Sequence, residues 1–337
     1  MLNVLTMYHN PVMIKEVLEE MNPQPGENFI DCTLGNAGHT IEILGRTKPD
    51  GRILGFELDI KASGEAKERL QELPCHSKLS KSEEWSNFGE EGLLSRVHPV
   101  KSDKVGAKQF NRVEIIEDNF RNIKKYKNKL PKIDGILADL GLRSGQIEES
   151  GKGFSFNADE PLDMRFGSEG TSAEEIVNTY TTDELAHIFR EYGEEKNYQH
   201  IAKEIVKARK NKPIKTTGEL AEIILDFYRQ KLKTKKEIPW LGGIHPATRI
   251  FQALRIEAND ELGALKKLLE DGSEILSPGG RIGIISYHSL EDRIVKRFYR
   301  TSPQLVVKTK KPIIPSEEEV KKNRRARSAK FRVAIKE

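Results

Sequence analysis

A strand-turn-helix-strand pattern near the N-terminus constrains the fold more than any other feature of the sequence. Residues 28–39 read NFIDCTLGNAGH, in which a run of β-forming residues ends at Asp31 and a turn with Gly35 and Gly38 follows. A helical pattern comes next, and a second β run ends near Glu57. This order is typical of nucleotide-binding α/β sheets. We therefore predict an α/β fold built on a largely parallel sheet.

The glycine spacing in this turn bears on which nucleotide the chain could bind. A dinucleotide-binding turn carries G-x-G-x-x-G, which places a pyrophosphate on a helix N-terminus. The turn here reads Gly35-Asn36-Ala37-Gly38 and lacks that triplet. S-adenosylmethionine (SAM) has no phosphate and needs only an open turn, while Glu57 would accept hydrogen bonds from its ribose. The spacing favours SAM, and an ordinary βα turn remains the alternative.

Composition excludes several classes of protein. The chain has 337 residues, which predicts two domains or one domain with a large insertion. It contains no apolar run long enough to cross a membrane, and its start lacks the pattern of a signal peptide. Cys32 and Cys75 are the two cysteines, too few for a disulfide framework or a zinc set. We expect a cytoplasmic protein with no membrane partner and no metal site.

Positive charge is concentrated at the C-terminus. Residues 308–337 hold eleven Lys or Arg and four Glu, a surplus of 11 − 4 = +7, whereas the whole chain has a net charge of +4. Such clusters suit the phosphate backbone of a nucleic acid. From charge alone, a solvated terminus is an equally good interpretation.

A block without strand signals divides the sheet pattern in two. Helical patterns in this block follow three capping boxes, Ser172 with Glu175, Thr181 with Glu184 and Thr216 with Glu219. The helices predicted there cover 173–179, 182–192, 195–210 and 217–231. The predicted domains are a sheet domain of 1–142 with 244–337, a helical insertion of 143–243 and a surface insertion of 74–109. Further strands are predicted over 112–120, 133–140, 281–287, 305–311 and 330–336, and further helices over 8–21, 40 onwards, 60–73, 246–269 and 290–300.

Several longer motifs together resemble one family. They are DCTLGNAGHT at 31–40, ADLGLRSGQIE at 138–148, GKGFSFNADEPLDMRF at 151–166, EYGEE at 191–195, HPATRIFQALRIEANDEL at 245–262, SPGGRIGIISYHSLEDRIVKRF at 277–298 and RARSAKFRVA at 325–334. In this order they resemble the MraW/RsmH family of bacterial 16S ribosomal RNA (cytosine-N(4))-methyltransferases. The resemblance implies a Rossmann-like SAM-dependent methyltransferase sheet with an inserted all-helical subdomain, and the small ribosomal subunit as partner.

The resemblance also implies a set of SAM contacts. Carried onto this sequence, they are Ala37, Gly38, His39, Glu57, Phe120, Asp139 and Gln146. Three departures stand out: Asn36-Ala37 replaces the family's Arg-Gly, Glu57 replaces Asp, and Arg143-Ser144-Gly145 precedes Gln146 where Ser-Ser-Pro is usual. Ala37 restricts a backbone that glycine would leave free.

The chemistry of amine methylation points to Asp139. The exocyclic amine of cytosine is a poor nucleophile, so a carboxylate that accepts its N–H would help it react. Asp139 ends a central strand, where ligands bind in such sheets. The alternative is that Asp139 only binds SAM or caps a loop.

Other residues are candidates for holding the RNA substrate, each with a plainer alternative. Phe154 and Phe156 could stack on a base or anchor a loop. Arg165 could bind RNA or pair with Asp163. Arg255 and Asn259 are further candidates, but they share a helix face with Gln252 that could be an ordinary polar face. His288 is the last candidate, and it could instead cap the next helix.

Three alternative functions differ from this hypothesis. A DNA amino-methyltransferase would carry Pro-Pro-Tyr or Pro-Pro-Phe where Leu140-Gly141 stands. A carbon-5 methyltransferase needs a cysteine nucleophile near SAM, whereas Cys75 lies in the insertion and Cys32 in the first strand. A non-catalytic RNA-binding assembly factor is the third alternative, and the sequence does not exclude it. The sequence also leaves the oligomeric state open, and a homodimer is one possibility.

Overall fold

One mixed sheet forms the centre of the protein. The computed structural model describes residues 11–72, 112–142, 150–234 and 244–337. The strands are β1 (Phe29–Asp31), β2 (Ile53–Phe56), β3 (Val113–Ile116), β4 (Gly135–Asp139), β5 (Arg281–Ser286), β6 (Leu305–Val307) and β7 (Lys330–Lys336). Their order across the sheet is β3-β2-β1-β4-β5-β7-β6, and β7 pairs in antiparallel fashion with both of its neighbours, β5 and β6, whereas the other pairs are parallel. The predicted α/β, Rossmann-like fold class is confirmed.

The central strands are short, apolar and covered on both faces. Every residue of β1 and β2 is buried, as expected for strands inside a parallel sheet. Phe29 pairs with Gly135 in register, and a Cβ at Gly135 would lie 2.1 Å from the Phe29 ring. The glycine therefore makes room for the phenylalanine. Parallel register also brings the carboxyl ends of β1, β2, β4 and β5 to one edge of the sheet.

Helices cover the two faces of the sheet. Those before β4 are α1 (Ile14–Met21), α2 (Gly38–Arg46), α3 (Ile60–Glu72) and the 3-10 helix Phe120–Lys129. Those after the helical block are α8 (Thr248–Asn259), α9 (Glu261–Ile275), α10 (Ser289–Thr301), α11 (Glu317–Lys322) and the 3-10 helix Arg324–Ser328. Leu268 and Tyr299 belong to the core on one face, and Val17 and Phe331 belong to the core on the other.

Four helices between β4 and β5 form a separate hydrophobic cluster. They are α4 (Ala173–Thr179), α5 (Thr182–Glu191), α6 (Tyr198–Arg209) and α7 (Thr217–Leu232). All three predicted capping boxes are present at the starts of α4, α5 and α7, with both reciprocal hydrogen bonds. Ile250 and Leu254 of α8 also belong to this cluster. The inner face of α8 therefore packs with the helical block, and the division into domains stays a proposal.

Two predicted elements are wrong. The helix expected over 246–269 is interrupted at Asp260, whose φ of 46° is left-handed. Arg121 stabilises this break, because its Nη2 donates to the Asp260 carbonyl at 3.1 Å and to the carboxylate at 2.8 Å. The strand expected to continue through Phe120 ends at Ile116. The Asn119 side chain accepts a hydrogen bond from Arg121 N and begins the 3-10 helix instead.

Several ends also differ from prediction. Helix α2 begins at Gly38 rather than at residue 40, α1 begins at Ile14 rather than at residue 8, and β6 ends at Val307 rather than at residue 311. The predicted surface insertion 74–109, with Cys75, lies outside the described residues, as does Gln146. None of the helices in the described ranges has the length and apolar character that spanning a bilayer requires.

Candidate active site

The turn after β1 has a left-handed backbone at two positions. Gly35 has a φ of 51°, and Ala37, which precedes α2, has a φ of 60° and a ψ of 22°. For an alanine this conformation costs about 1 kcal/mol. Ala37 is fully buried and packs in a cluster with Met13 and Leu34. Its methyl group is therefore part of the core on that side of the sheet, which offsets the backbone strain.

Glu57 closes the turn from the neighbouring strand. Gly35 N donates to its Oε2 at 3.0 Å, and Asp59 N donates to its Oε1 at 2.9 Å. The structure therefore brings the acid that follows β2 against the glycine turn, as the sequence pattern predicts. These two backbone donors fix the position of the carboxylate.

Gly38 and His39 hold the segment that precedes α1. His39 Nε2 lies 2.9 Å from the Val12 carbonyl oxygen, and the His39 side chain is buried. A Cβ at Gly38 would lie 3.2 Å from Pro11, so the two segments approach closely there. The positive charge that His39 can carry also lowers the pKa of both Asp31 and Asp139, although it is not the largest influence on either.

A hydrogen-bond network joins the ends of β1 and β4. Asp31 accepts from Thr40 Oγ1 at 2.7 Å and from Thr33 N at 3.1 Å. Thr33 Oγ1 in turn accepts from Asp139 N at 2.7 Å. Burial is the main cause of the raised pKa of Asp31. The network fixes the backbone of Asp139 at the edge of the sheet.

The Asp139 carboxylate has two donors of its own. Gly141 N donates to its Oδ1 at 3.1 Å, and the Tyr287 hydroxyl donates to it from the loop after β5. Desolvation raises the pKa of Asp139, and the Tyr287 hydrogen bond opposes this shift. A Cβ at Gly141 would lie 2.7 Å from the Tyr287 ring, so only glycine lets the ring lie there.

Glu291 positions the loop that carries Tyr287. Its Oε2 accepts from Tyr287 N at 2.8 Å and from His288 N at 3.3 Å, and the residue is 3% exposed. Its charge also contributes to the raised pKa of Asp139. Sequence reasoning missed Glu291. Its position three residues after His288 is the spacing of a capping box and could have indicated its role.

Phe120 lies beside the end of β3. It begins the 3-10 helix, is partly buried and packs against the cluster that contains Ile116 and Ile123. The structure therefore places an aromatic ring after the third strand, where the resemblance implies one. Its contact with a cofactor stays a prediction.

The two candidate stacking residues both have ring partners in the protein. Phe154 stacks on Phe166 with centroids 5.6 Å apart, and Phe156 stacks on His245 at 4.4 Å. Phe156 also meets Phe251 edge-on at 5.1 Å. These contacts support the anchoring alternative. Stacking on RNA stays a prediction for both residues.

Arg165 and Asn259 hold the loop between residues 150 and 172. Arg165 Nε donates to Asp163 Oδ1 at 2.6 Å, which is the pairing that we weighed against RNA binding. Asn259 accepts from Phe166 N at 2.8 Å and donates to the Met164 carbonyl at 2.8 Å. Both side chains are thus occupied within the protein.

Arg255 and His288 lie near the Asp139 edge of the sheet. Arg255 forms two hydrogen bonds with Glu261, of 2.7 and 2.9 Å, and the negative charge of Glu291 also stabilises its protonated guanidinium. His288 is the N-cap residue of α10 through its backbone, and its ring nitrogens are buried. The last element to reach this region is α11, whose Glu319 accepts from Met13 N at 2.7 Å.

Taken together, these contacts surround the turn with acids. Asp31, Glu57 and Asp139 lie at the ends of three adjacent strands, and Arg69 Nη1 donates to the Asn36 carbonyl of the turn at 2.8 Å. When ionised, the three carboxylates disfavour a pyrophosphate and favour a positively charged ligand without phosphate. A nucleoside that carries a sulfonium and an ammonium group fits this charge pattern.

Comparison with known proteins gives a consistent result. The model of the MraW methylase family matches residues 6–105 and 100–337. The protein called ribosomal RNA small subunit methyltransferase H from Clostridioides difficile is 40% identical, over 98% of this chain and 100% of that protein. The protein of the same name from Carboxydothermus hydrogenoformans is 42% identical, over 97% of each chain. That from Brevibacillus brevis is 39% identical, over 99% of this chain and 100% of its own.

Proposed function

The chain belongs to the MraW methylase family, and we propose that it transfers a methyl group from SAM to N(4) of a cytidine in small-subunit (16S) ribosomal RNA. The observation that carries this proposal is the Asp139 carboxylate, held by Gly141 and Tyr287 at the sheet edge that also presents the glycine turn. Three relatives that match almost the whole chain are named as small-subunit ribosomal RNA methyltransferases, which supports the substrate.

The residues of the turn fit SAM. We propose that Glu57, after the second strand, binds the ribose diol and that Phe120, after the third, packs on the adenine. We propose that the backbone of Ala37, Gly38 and His39, at the start of α2, contacts the methionine part of bound SAM. The acids around the turn favour the positive charges of SAM over the negative charges of a dinucleotide. Gln146 would complete this set.

Asp139 performs the proton chemistry in the proposed reaction. When bound, SAM would supply an electrophilic methyl group on a sulfonium, with a neutral thioether as the leaving group. Asp139 would accept a hydrogen bond from the N(4) amine and localise the lone pair on that nitrogen, which takes the methyl group. The proton that N(4) loses passes to the Asp139 carboxylate, whose raised pKa makes it a better acceptor than an exposed aspartate.

The helical block is the proposed substrate-recognition part of the molecule. A cytidine within RNA must leave its stack to reach the sheet edge, and the block follows β4, which ends at Asp139, and precedes α8, α9 and β5 in the chain. We place the protein in the cytoplasm, where small subunits of the ribosome are assembled in bacteria.

The test is methylation of small ribosomal subunits with labelled SAM, followed by mapping of the modified base. We expect label on N(4) of one cytidine for the native chain and at least a 100-fold loss for Asp139→Asn, the scale of a missing proton acceptor. Asp226→Asn, at an exposed aspartate of α7, is the control and should keep full activity.

Two outcomes would contradict the proposal. Label on a carbon, a ribose or another base would exclude N(4) of cytidine as the acceptor. Absence of SAM binding in calorimetry, with RNA binding retained, would favour a non-catalytic assembly factor.

A further inference from the structure

We propose that Glu261, His288 and Glu291 form a binding site for one divalent transition-metal ion such as Zn²⁺ or Mn²⁺. One donor atom of each residue lies within 4.8 Å of the other two. Glu261 is the first residue of α9, and the other two belong to the start of α10. The site therefore joins two segments that meet at the carboxyl edge of the sheet.

The spacing of the donor atoms suits direct coordination. Protein ligands lie about 2.0–2.2 Å from Zn²⁺, so two ligands of a tetrahedral ion are roughly 3.4 Å apart. His288 Nε2 lies 3.2 Å from Glu291 Oε1, close to that value. The whole set spans at most 4.8 Å, so a small inward movement of the side chains would bring the third donor to the ion.

The imidazole of His288 lacks any other partner that would explain its burial. Nε2 contacts only Glu291 Oε1, at 3.2 Å, among the described residues, Nδ1 makes no hydrogen bond to the described part of the chain, and both nitrogens are shielded from solvent. The side chain as a whole is 12% exposed. A buried polar atom without a partner is rare and destabilising. A metal ion bound by Nε2 would satisfy one of the two nitrogens.

The charges around the site leave room for a divalent cation. Asp139, Glu261 and Glu291 carry three negative charges when ionised, and Arg255 supplies one positive charge. Among these four side chains the acids outnumber the single cation, in a region where Glu291 is 3% exposed. Buried charge without compensation is strongly destabilising. One divalent ion would offset this excess of negative charge.

Arg255 does not block the site. It hydrogen bonds to both carboxylate oxygens of Glu261, and each oxygen has a second lone pair. Partners of this kind commonly orient a metal ligand from outside the coordination sphere. One nitrogen and two carboxylate oxygens favour Zn²⁺ or Mn²⁺ over Ca²⁺, which prefers oxygen ligands alone.

The site would link the helical block to the residue that holds Asp139. Glu261 follows the break at Asp260 that ends α8, and α8 packs with the helical block. Glu291 accepts from the backbone of Tyr287, whose hydroxyl donates to Asp139. A bound ion would therefore couple the placement of α8 to the geometry of the proposed proton acceptor. Binding of the ion itself requires neither SAM nor RNA.

The experiment is calorimetric titration of the full chain, after treatment with a chelator, with MnCl₂, ZnCl₂ and MgCl₂ and without SAM or RNA. We expect one Mn²⁺ or Zn²⁺ per chain and weaker binding of Mg²⁺. His288→Gln should weaken Mn²⁺ binding by about 100-fold or more. His200→Gln, at an exposed histidine of α6, is the matched control and should bind as the native chain does.

Electron paramagnetic resonance of bound Mn²⁺ gives a second readout. We expect a coupling to an imidazole nitrogen that is absent in His288→Gln, and circular dichroism checks that the variant folds. If it does not fold, Glu261→Gln replaces it and should also weaken binding. No binding up to about 1 mM, the weak end for protein cation sites, or native binding by a folded variant, would overturn the proposal. Methyl transfer is measured separately: ion binding without methylation contradicts only the proposed function, and methylation without ion binding contradicts only the metal site.

Discussion

At the scale of single residues, the candidate site depends on how one carboxylate is held. Asp139 receives hydrogen bonds from Gly141 N and from the Tyr287 hydroxyl, and burial raises its pKa. The Tyr287 bond works against that rise, because it stabilises the ionised carboxylate. Burial, the charge of Asp139 and this hydrogen bond, in that order, raise the pKa of Tyr287, so the phenol stays protonated and donates. Tyr287 is thus a positioning residue for Asp139.

Tyr287→Phe tests this role. Asp139 must be ionised to accept a proton, and loss of the hydrogen bond raises its pKa further. As the pH is lowered, the variant should therefore lose activity at a higher pH than the native chain does. Its kcat should also drop by about 10-fold, the equivalent of one hydrogen bond. The measurement is the pH profile of kcat.

The matched control is Tyr299→Phe. The Tyr299 hydroxyl is also buried and donates to the Ile282 carbonyl at 3.0 Å, away from any carboxylate. This variant should lose some stability and leave the acid limb of the pH profile unchanged. An unchanged limb in Tyr287→Phe would contradict the positioning role.

At the scale of elements, helix ends decide where the helical block starts and stops. Three capping boxes begin α4, α5 and α7, each with the side chain of the cap and the glutamate three residues later bonded reciprocally. These signals act within four residues and are independent of the rest of the chain. The break at Asp260 is different, because it is held by Arg121, 139 residues away in the sequence.

Thr181→Ala tests the contribution of one cap. The variant removes the side-chain acceptor of Glu184 N at the start of α5. We expect the free energy of unfolding to fall by about 1 kcal/mol, as for other threonine caps. Urea denaturation followed by circular dichroism measures it.

Thr171→Ala, at an exposed threonine just before α4, is the control and should change stability by less than about 0.5 kcal/mol. Equal stabilities of the two variants would show that the cap of α5 contributes nothing measurable.

At the scale of the whole molecule, one arginine ties the N-terminal segment to the sheet. Arg281 in β5 donates to the carbonyls of Met21 and Asn22 and forms two hydrogen bonds with Glu27. Its guanidinium also lies 5.5 Å from the centre of the Phe29 ring. This anchor fixes the end of α1 beside the first strand, and through it the turn that the proposed cofactor would contact.

Arg281→Lys should therefore destabilise the protein. A lysine cannot form the same set of planar contacts, so carbonyl and carboxylate oxygens lose their donors. We expect the free energy of unfolding to fall by about 1–3 kcal/mol, the cost of buried acceptors that lose their donors. Arg297→Lys, at an exposed position of α10, is the control and should have little effect in the same denaturation experiment. Equal free energies of unfolding for the two variants would contradict the anchoring role of Arg281.

The basic C-terminal segment makes a second prediction at this scale. Arg324 and Arg327 are exposed beside α11, whose Glu319 reaches Met13 near the candidate site. If they contact phosphates, replacing both by Gln should weaken RNA binding and lower the slope of log affinity against log salt by about 1.4–1.8. Filter binding at several salt concentrations measures both.

Lys15→Gln, at an exposed position of α1, is the control for this double variant. It should leave the slope unchanged. If the double variant keeps the salt dependence of the native chain, Arg324 and Arg327 do not contact phosphates and belong to the solvated surface.

The sequence by itself determined the features that depend on near neighbours in the chain. The glycine turn with its flanking strands, the three capping boxes and the order of strands and helices were all predictable, because periodicity and capping act over a few residues. That Glu57, after β2, and Asp139, the last residue of β4, lie at the same edge of the sheet was also predictable, since the carboxyl ends of parallel strands meet at one edge.

Only the tertiary structure decided which distant side chains meet. It paired Tyr287 with Asp139, brought Glu261 to His288 and Glu291, and gave Phe156 a partner in His245. It also broke the long helix at Asp260. These outcomes depend on packing and on hydrogen bonds between segments far apart in the chain, and neither local propensity nor spacing contains that information.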